Sequence, residues 1–279
     1  MKTRLLTATV ALPLLFAAII LPWYVPETVW IFVGIAILAL AAGLFEFFSL
    51  TKKMELKADA GVAYLGSAVF VFLFAVDAPT NAPELILLVA AIFIIALFIS
   101  QTFRFQIDFS KMLAGIGVTL LGVFYLAFLG GFLIAIRVGF DNVPGLSTKL
   151  LLFFFIVIFG SDAGAYFAGK SFGKHKLVPK ISPGKTWEGL IGGIVAAAGL
   201  AAICTATFFA ELPYQFSIPL AAMMAVVGIF GDLAESAIKR GAGAKDAATI
   251  LPGHGGLLDR LDSLLFNAPI LYYFARFYF

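Results

Sequence analysis

Between Gly231 and Ser263 the chain reads GDLAESAIKRGAGAKDAATILPGHGGLLDRLDS, gathering Asp232, Glu235, Lys239, Arg240, Lys245, Asp246, His254, Asp259, Arg260 and Asp262 within an otherwise apolar sequence. Written on a helix, Asp232, Glu235, Ser236 and Lys239 stand at i, i+3, i+4 and i+7 and share one face. Gly241, Gly243 and the run Pro252-Gly253-His254-Gly255-Gly256 follow. Side chains are nearly absent there, so backbone N–H groups are open to phosphate oxygens. Asp259 and Asp262, at i and i+3 of the next helix, again share a face, and carboxylates so spaced suit a hard cation such as Mg²⁺. Lys239, Arg240, Lys245 and Arg260 supply the matching positive charge.

The order S-x-x-K-R-x-x-x-x-K-D, P-G-H-G-G and L-D-R-x-D, running from Ser236 to Asp262, resembles the signature of the phosphatidate cytidylyltransferases, or CDP-diacylglycerol synthases. Two upstream pieces are also similar to that family: D-x-x-A-Y-x-x-G from Asp162 to Gly169, and S-P-x-K-T-W-E-G from Ser182 to Gly189. Gly184 and Ala247-Ala248 depart from its pattern and remove no group to which chemistry is assigned. The resemblance implies transfer of a cytidylyl group from CTP to phosphatidic acid, with release of pyrophosphate. In that scheme Asp232, Asp259 and Asp262 hold Mg²⁺, alone or with a second cation, and Asp162 ranks below them as a ligand. Lys239, Arg240, Asp259 and Arg260 join Asp232 in the catalytic set. Lys185, Thr186, Ser236, Lys245, Asp246, Gly253, His254, Gly255 and Gly256 bind substrate.

The elements that position these residues must lie in a bilayer. Hydrophobic residues make up 62% of the chain and charged residues 13%, against roughly 45–50% and 25% in soluble domains. The expected fold is therefore an all-α polytopic membrane protein, a single membrane domain over residues 1–279. Residues 1–149 form helices of unassigned role, and 150–279 carry the catalytic helices and loops. With one cysteine and two histidines in the chain, neither a disulfide framework nor a Cys/His zinc site can be built. Cys204 reads as packing.

Apolar runs place spans at 1–23, 28–49, 62–78, 84–101, 112–136, 150–169, 188–210, 217–238 and 264–279, about nine at roughly 20 residues each. The first run resembles a signal peptide but continues past any convincing cleavage site, so it reads as a retained span. The segment 112–136 is either one long tilted helix or a span broken at Gly130-Gly131. Basic residues alternate between connectors. Lys2 and Arg4, then Lys52, Lys53 and Lys57, then Arg104 and Lys111 mark one side, while the intervening loops carry none. This puts the N-terminus in the cytoplasm, together with the 170–187 and 239–263 loops, and puts the C-terminus outside. In a bacterium the membrane is the inner one.

Several signals are weaker. Asp162, flanked by apolar residues within its span, reads as functional because a carboxylate at membrane depth is costly. Gly184-Lys185-Thr186 invites a phosphate-loop reading, but the first glycine of that motif falls on Pro179 and no strand precedes it. Gly160, Gly164, Gly169 and Gly173 suit close helix packing. Glu46 and Asp77, near span ends, read as non-catalytic. An ion-coupled transporter is the rival class, since intramembrane carboxylates and glycine-broken spans also mark ion paths. Charge gathered at one face and the lack of a repeat disfavour it. A CTP-dependent transferase acting on another membrane lipid is the nearer alternative. Expected partners are CTP, phosphatidic acid and the bilayer, with no nucleic acid and the possibility of a homodimer open.

Overall fold

The structure, a computed structural model, describes residues 2–104, 109–140, 143–245 and 256–279, without the side chains of residues 2–8 and Ser110. Among them the helices are α1 (Lys2–Ile20), α2 (Val29–Lys53), α3 (Ala60–Ala75), the short α4 (Ala78–Asn81), α5 (Pro83–Arg104), α6 (Met112–Gly122), α7 (Leu129–Val138), α8 (Leu146–Phe172), α9 (Trp187–Thr207), α10 (Tyr214–Gly241) and α11 (Leu258–Tyr278). A π-helical turn over Val123–Phe128 joins α6 to α7. The segment Met112–Val138 is thus one continuous helix that widens before Gly130-Gly131 rather than breaking there. Each expected span has its main part on one helix or on this joined pair, although 62–78 runs past the end of α3 to the start of α4.

Six described helical segments are long and apolar enough to cross a membrane: Pro26–Lys53, Pro83–Arg104, Met112–Val138, Leu146–Phe172, Trp187–Thr207 and Tyr214–Gly241. Shorter apolar helices cover Thr9–Trp23 and Ala60–Ala75. The helix α11 stands outside that group, and its first two turns carry Asp259, Arg260 and Asp262. The chain is an all-α polytopic membrane protein. One local feature was not anticipated: a two-stranded antiparallel hairpin, β1 (Lys176–Val178) with β2 (Ser182–Thr186), between α8 and α9.

Contacts divide the chain into two compact units. The first is Met1–Asn142 with Ile238–Leu261. Its centre is a cluster of Ala63, Phe70, Phe93, Leu97, Ile116, Val123 and Ala127, all buried. The rings of Phe70, Phe74, Phe128 and Phe132 meet edge to face at 4.8 to 5.8 Å, the arrangement that aromatic quadrupoles favour. The start of α3 is fixed by Asp59, which accepts from the Val62 N–H at 3.2 Å, from the Gln101 amide at 3.1 Å and from the Ser100 hydroxyl. Burial pushes this carboxyl up, but those donors and the Arg104 charge outweigh it and hold it below the ordinary value.

The second unit is Val143–Ala237 with Asp262–Phe279. Here α8 and α9, joined by the hairpin, pack through small residues. A Cβ at Gly189 would stand 2.9 Å from the Ala165 carbonyl, and one at Gly193 would stand 3.1 Å from the Ser161 carbonyl. Such close backbone approach is the usual solution where lipid removes the hydrophobic drive for helix association. The start of α9 is capped by the buried Thr186, whose hydroxyl accepts from the Gly189 N–H at 3.1 Å. The hairpin is tied to the same helix by His175, which meets Glu188 through its ring Nδ1 at 2.7 Å and its backbone N–H. Between α10 and α11 in this unit, the Ser263 hydroxyl donates to the Gly228 carbonyl at 3.2 Å. At the other end Phe209 stacks on Phe279, and Lys149 pairs with Glu211 at 2.5 Å.

Candidate active site

The polar face expected from Asp232 to Lys239 forms as drawn, because α10 runs unbroken through it to Gly241. Two residues past its end, Gly243 has a φ of +62°, the left-handed conformation favoured after helix ends. The Ala244 N–H returns to the Lys239 carbonyl at 2.9 Å.

In the second unit, Asp232 and Glu235 of α10 meet Asp262 of α11. One oxygen of each lies within 4.8 Å of the others. Gly231 permits this approach, since a Cβ there would stand 2.5 Å from the Asp262 carbonyl. Glu235 is 1% and Asp262 8% exposed, whereas Asp232 is partly open. The Ser236 hydroxyl donates to Asp232 Oδ1 at 3.2 Å, and the Ser263 N–H donates to Asp262 Oδ1 at 2.6 Å. From β2, the Lys185 ammonium reaches Asp232 Oδ2 at 2.6 Å. The exposed Asp162 of α8 lies within electrostatic range of Asp262.

Crowding buried carboxylates is unfavourable unless positive charge is shared among them. The donor set is all oxygen, as a hard cation requires, and octahedral Mg²⁺ has ligand oxygens at about 2.0–2.1 Å, hence roughly 4.2 Å across. Neighbouring ligands of such an ion stand roughly 2.9 Å apart, so the three oxygens, within 4.8 Å of one another, could hold it once drawn closer together.

In the first unit the Lys239 ammonium pairs with Asp259 Oδ1, with the two side chains 12% and 15% exposed. Asp259 Oδ2 accepts from the Gly256 N–H at 2.8 Å. Both carboxylate oxygens are thus engaged, one by a cation and one by the end of the glycine loop. Glu46 of α2, fully buried, accepts from the N–H groups of Leu257 at 2.9 Å and Leu258 at 2.7 Å. Arg240, Lys245 and Arg260 are exposed, and Arg240 Nη1 donates to the Ala244 carbonyl at 3.2 Å.

The structure therefore groups Asp232, Ser236, Asp262 and Lys185 in one cluster, and Lys239, Asp259 and Gly256 in another. Thr186 acts as a helix cap. Asp246, Gly253, His254 and Gly255, assigned to substrate from the sequence, lie outside the described residues. Two carboxylates went unassigned in the sequence. Glu235 had a visible signal, three residues after Asp232 on the same face. Glu46 had none, since its partners are more than two hundred residues along the chain, at a separation of 211 for Leu257.

Residues 2–278 match the cytidylyltransferase family. The chain is 33% identical over 281 residues to the phosphatidate cytidylyltransferase of Bacillus subtilis (strain 168), an alignment covering 98% of this chain and 97% of that protein. It is 46% identical over 134 residues to the phosphatidate cytidylyltransferase of Haemophilus influenzae, covering 47% of this chain and 46% of that protein. With the protein of the same name from Brucella suis it shares 41% identity over 166 residues, 59% of each chain. The match to these last two thus spans about half to three fifths of their length.

Proposed function

This chain belongs to the cytidylyltransferase family, and from that premise we propose that it makes CDP-diacylglycerol and pyrophosphate from CTP and phosphatidic acid. The observation that carries the reading at the level of chemistry is the trio Asp232, Glu235 and Asp262, with oxygens within 4.8 Å of one another and the Lys185 ammonium on Asp232.

In the reaction a phosphate oxygen of phosphatidate forms a bond to the α-phosphorus of CTP. The bond from that phosphorus to the oxygen bridging to the β-phosphate breaks, and pyrophosphate leaves with the electron pair. Both reactants are polyanions, so the barrier is largely electrostatic repulsion and misalignment. A phosphate monoester is already nucleophilic near neutral pH, and no strong general base is needed. Asp232, Glu235 and Asp262 hold Mg²⁺, which when bound supplies positive charge against the triphosphate. Asp162 ranks below them as a ligand. Lys185, carried on the hairpin, offers a fixed cation next to Asp232. Lys239, Arg240, Lys245 and Arg260 neutralise phosphates of CTP or lipid, and Asp259 acts through Lys239 by setting where its ammonium stands. The glycine-rich stretch of Gly253, His254, Gly255 and Gly256 is assigned to substrate phosphates, together with Ser236, Asp246 and Thr186.

The alternation of basic connectors supports an N-terminus and reaction face in the cytoplasm, where CTP is found, and a C-terminus outside. The diacyl product stays in the bilayer.

The test is incubation of purified protein with radiolabelled CTP, Mg²⁺ and a panel of lipid phosphates. CDP-diacylglycerol and pyrophosphate in equal amounts, formed with phosphatidic acid and lost in EDTA, are expected. A CDP-product only with another lipid overturns the assignment of the acceptor. No nucleotide consumption with any lipid overturns the reaction.

A further inference from the structure

We infer that Glu46, on the second helix, is a positioning residue for the reaction: its buried carboxylate fixes the start of α11 and thereby the direction in which Asp259 projects to hold Lys239. This rests on the reading of the preceding subsection.

The first N–H groups of a helix have no partner within it. At the start of α11 the N–H groups of Leu257, just before the helix, and of Leu258, its first residue, are taken by Glu46, one by each carboxylate oxygen, at 2.9 and 2.7 Å. Glu46 is fully buried, and Leu258 is buried as well. A carboxylate opposite a helix N-terminus also meets the positive end of the helix dipole. The bond pattern is that of an N-cap, but the cap comes from α2 rather than from the chain just ahead of the helix.

Its neighbours make the position consequential. Gly256, directly before, donates to Asp259 Oδ2, and Asp259 Oδ1 holds the Lys239 ammonium. Side chains on a helix point in directions set by its axis and phase. A change in how the first turn is anchored is therefore passed to Asp259 and from it to the Lys239 ammonium, whereas a residue that merely fills space in α2 has no such lever.

Glu46→Gln isolates the effect. The amide offers one acceptor oxygen and sets an NH₂ donor against the other N–H, at nearly constant volume. Small misplacement of groups that order charge is costly, so the variant is expected to lower kcat about tenfold or more and to raise the KM for CTP by a similar factor. Independently of turnover, the Leu257 and Leu258 amides should exchange with deuterium faster than in wild type. CTP bound to the purified protein, read by titration calorimetry, should be held more weakly.

A purely architectural role lowers the melting temperature and the amount of active enzyme, but leaves the KM for CTP and the CTP affinity of the surviving protein at wild-type values. That outcome overturns the inference. Should Glu46→Gln yield no folded protein, Glu46→Asp decides: the charge is kept but withdrawn by one methylene. Wild-type CTP affinity and kcat in the Asp variant overturn the inference, and intermediate values sustain it. Failure of the wild-type protein to make any CDP-lipid is a different result, directed at the reaction and not at Glu46, because the exchange reading stands without it.

Discussion

Asp232, Glu235 and Asp262 bring three carboxylates together, a grouping that the proposed cation would relieve. Two of the three are buried, so their mutual repulsion is weakly screened. Asp262→Asn and Glu235→Gln should each lower kcat by about 10²-fold or more, equivalent to roughly 2.7 kcal/mol of transition-state stabilisation. In EDTA, Asp262→Asn should melt no lower than wild type, because it removes a repelling charge. Melting in detergent by intrinsic fluorescence, beside CDP-lipid formation, checks both; a rate near wild type removes Asp262 from the proposed site. Lys52→Ala, in the last turn of α2 with no motif around it, serves as the unchanged control. The Lys239–Asp259 pair has a different signature, since deleting either partner leaves the other charge poorly solvated at 12–15% exposure. Lys239→Met and Asp259→Asn should each reduce turnover. In the double variant the losses should fall short of additive by about 1 kcal/mol or more, as contacting charges show. Additive losses in that cycle refute the functional pairing.

At the scale of elements, the site in the second unit depends on how closely α8 and α9 approach. Gly193 faces the Ser161 carbonyl, where a Cβ would stand at 3.1 Å. Gly193→Leu should therefore cost about 1–3 kcal/mol through overpacking and lower the melting temperature in detergent. An unchanged melting curve would show that the helices tolerate separation. The hairpin makes a milder case. Thr186→Val keeps the volume but deletes the acceptor for the Gly189 N–H, an expected loss of about 1 kcal/mol. Because β2 also carries Lys185, the variant should weaken CTP binding, read as a raised KM with kcat little changed.

For the whole molecule the decisive property is the side of the membrane on which the charged stretch lies. Cys204 is buried and dispensable for labelling. With it replaced by alanine, single cysteines at Ser182 in β2 and at the exposed Gln215 in the first turn of α10 lie at opposite ends of the segment formed by α9 and its flanking turns. An impermeant maleimide should label them from opposite faces of sealed vesicles. Labelling from one face sinks the proposed orientation and, with it, access of cytoplasmic CTP.

The sequence by itself determined where the helices run. Hydropathy and the 3.6-residue period are local properties, and a bilayer forces each apolar run to satisfy its own backbone by coiling. The polar face from Asp232 to Lys239 and the resemblance carried by Ser236 to Asp262 were legible for the same reason, being short-range patterns of residue type. What the tertiary structure alone decided is which charges meet. Lys185 lies far before Asp232 in the chain, in a Pro-Gly stretch that reads as loop and closes into a hairpin. Asp259, paired on its face with Asp262 by spacing, is turned to Lys239 and to the Gly256 N–H. Glu46 looked like an incidental carboxylate near a span end, yet it caps a helix 211 residues away. A buried charge takes its partner from whatever the packing of distant helices brings within hydrogen-bond reach, and no local pattern records that distance.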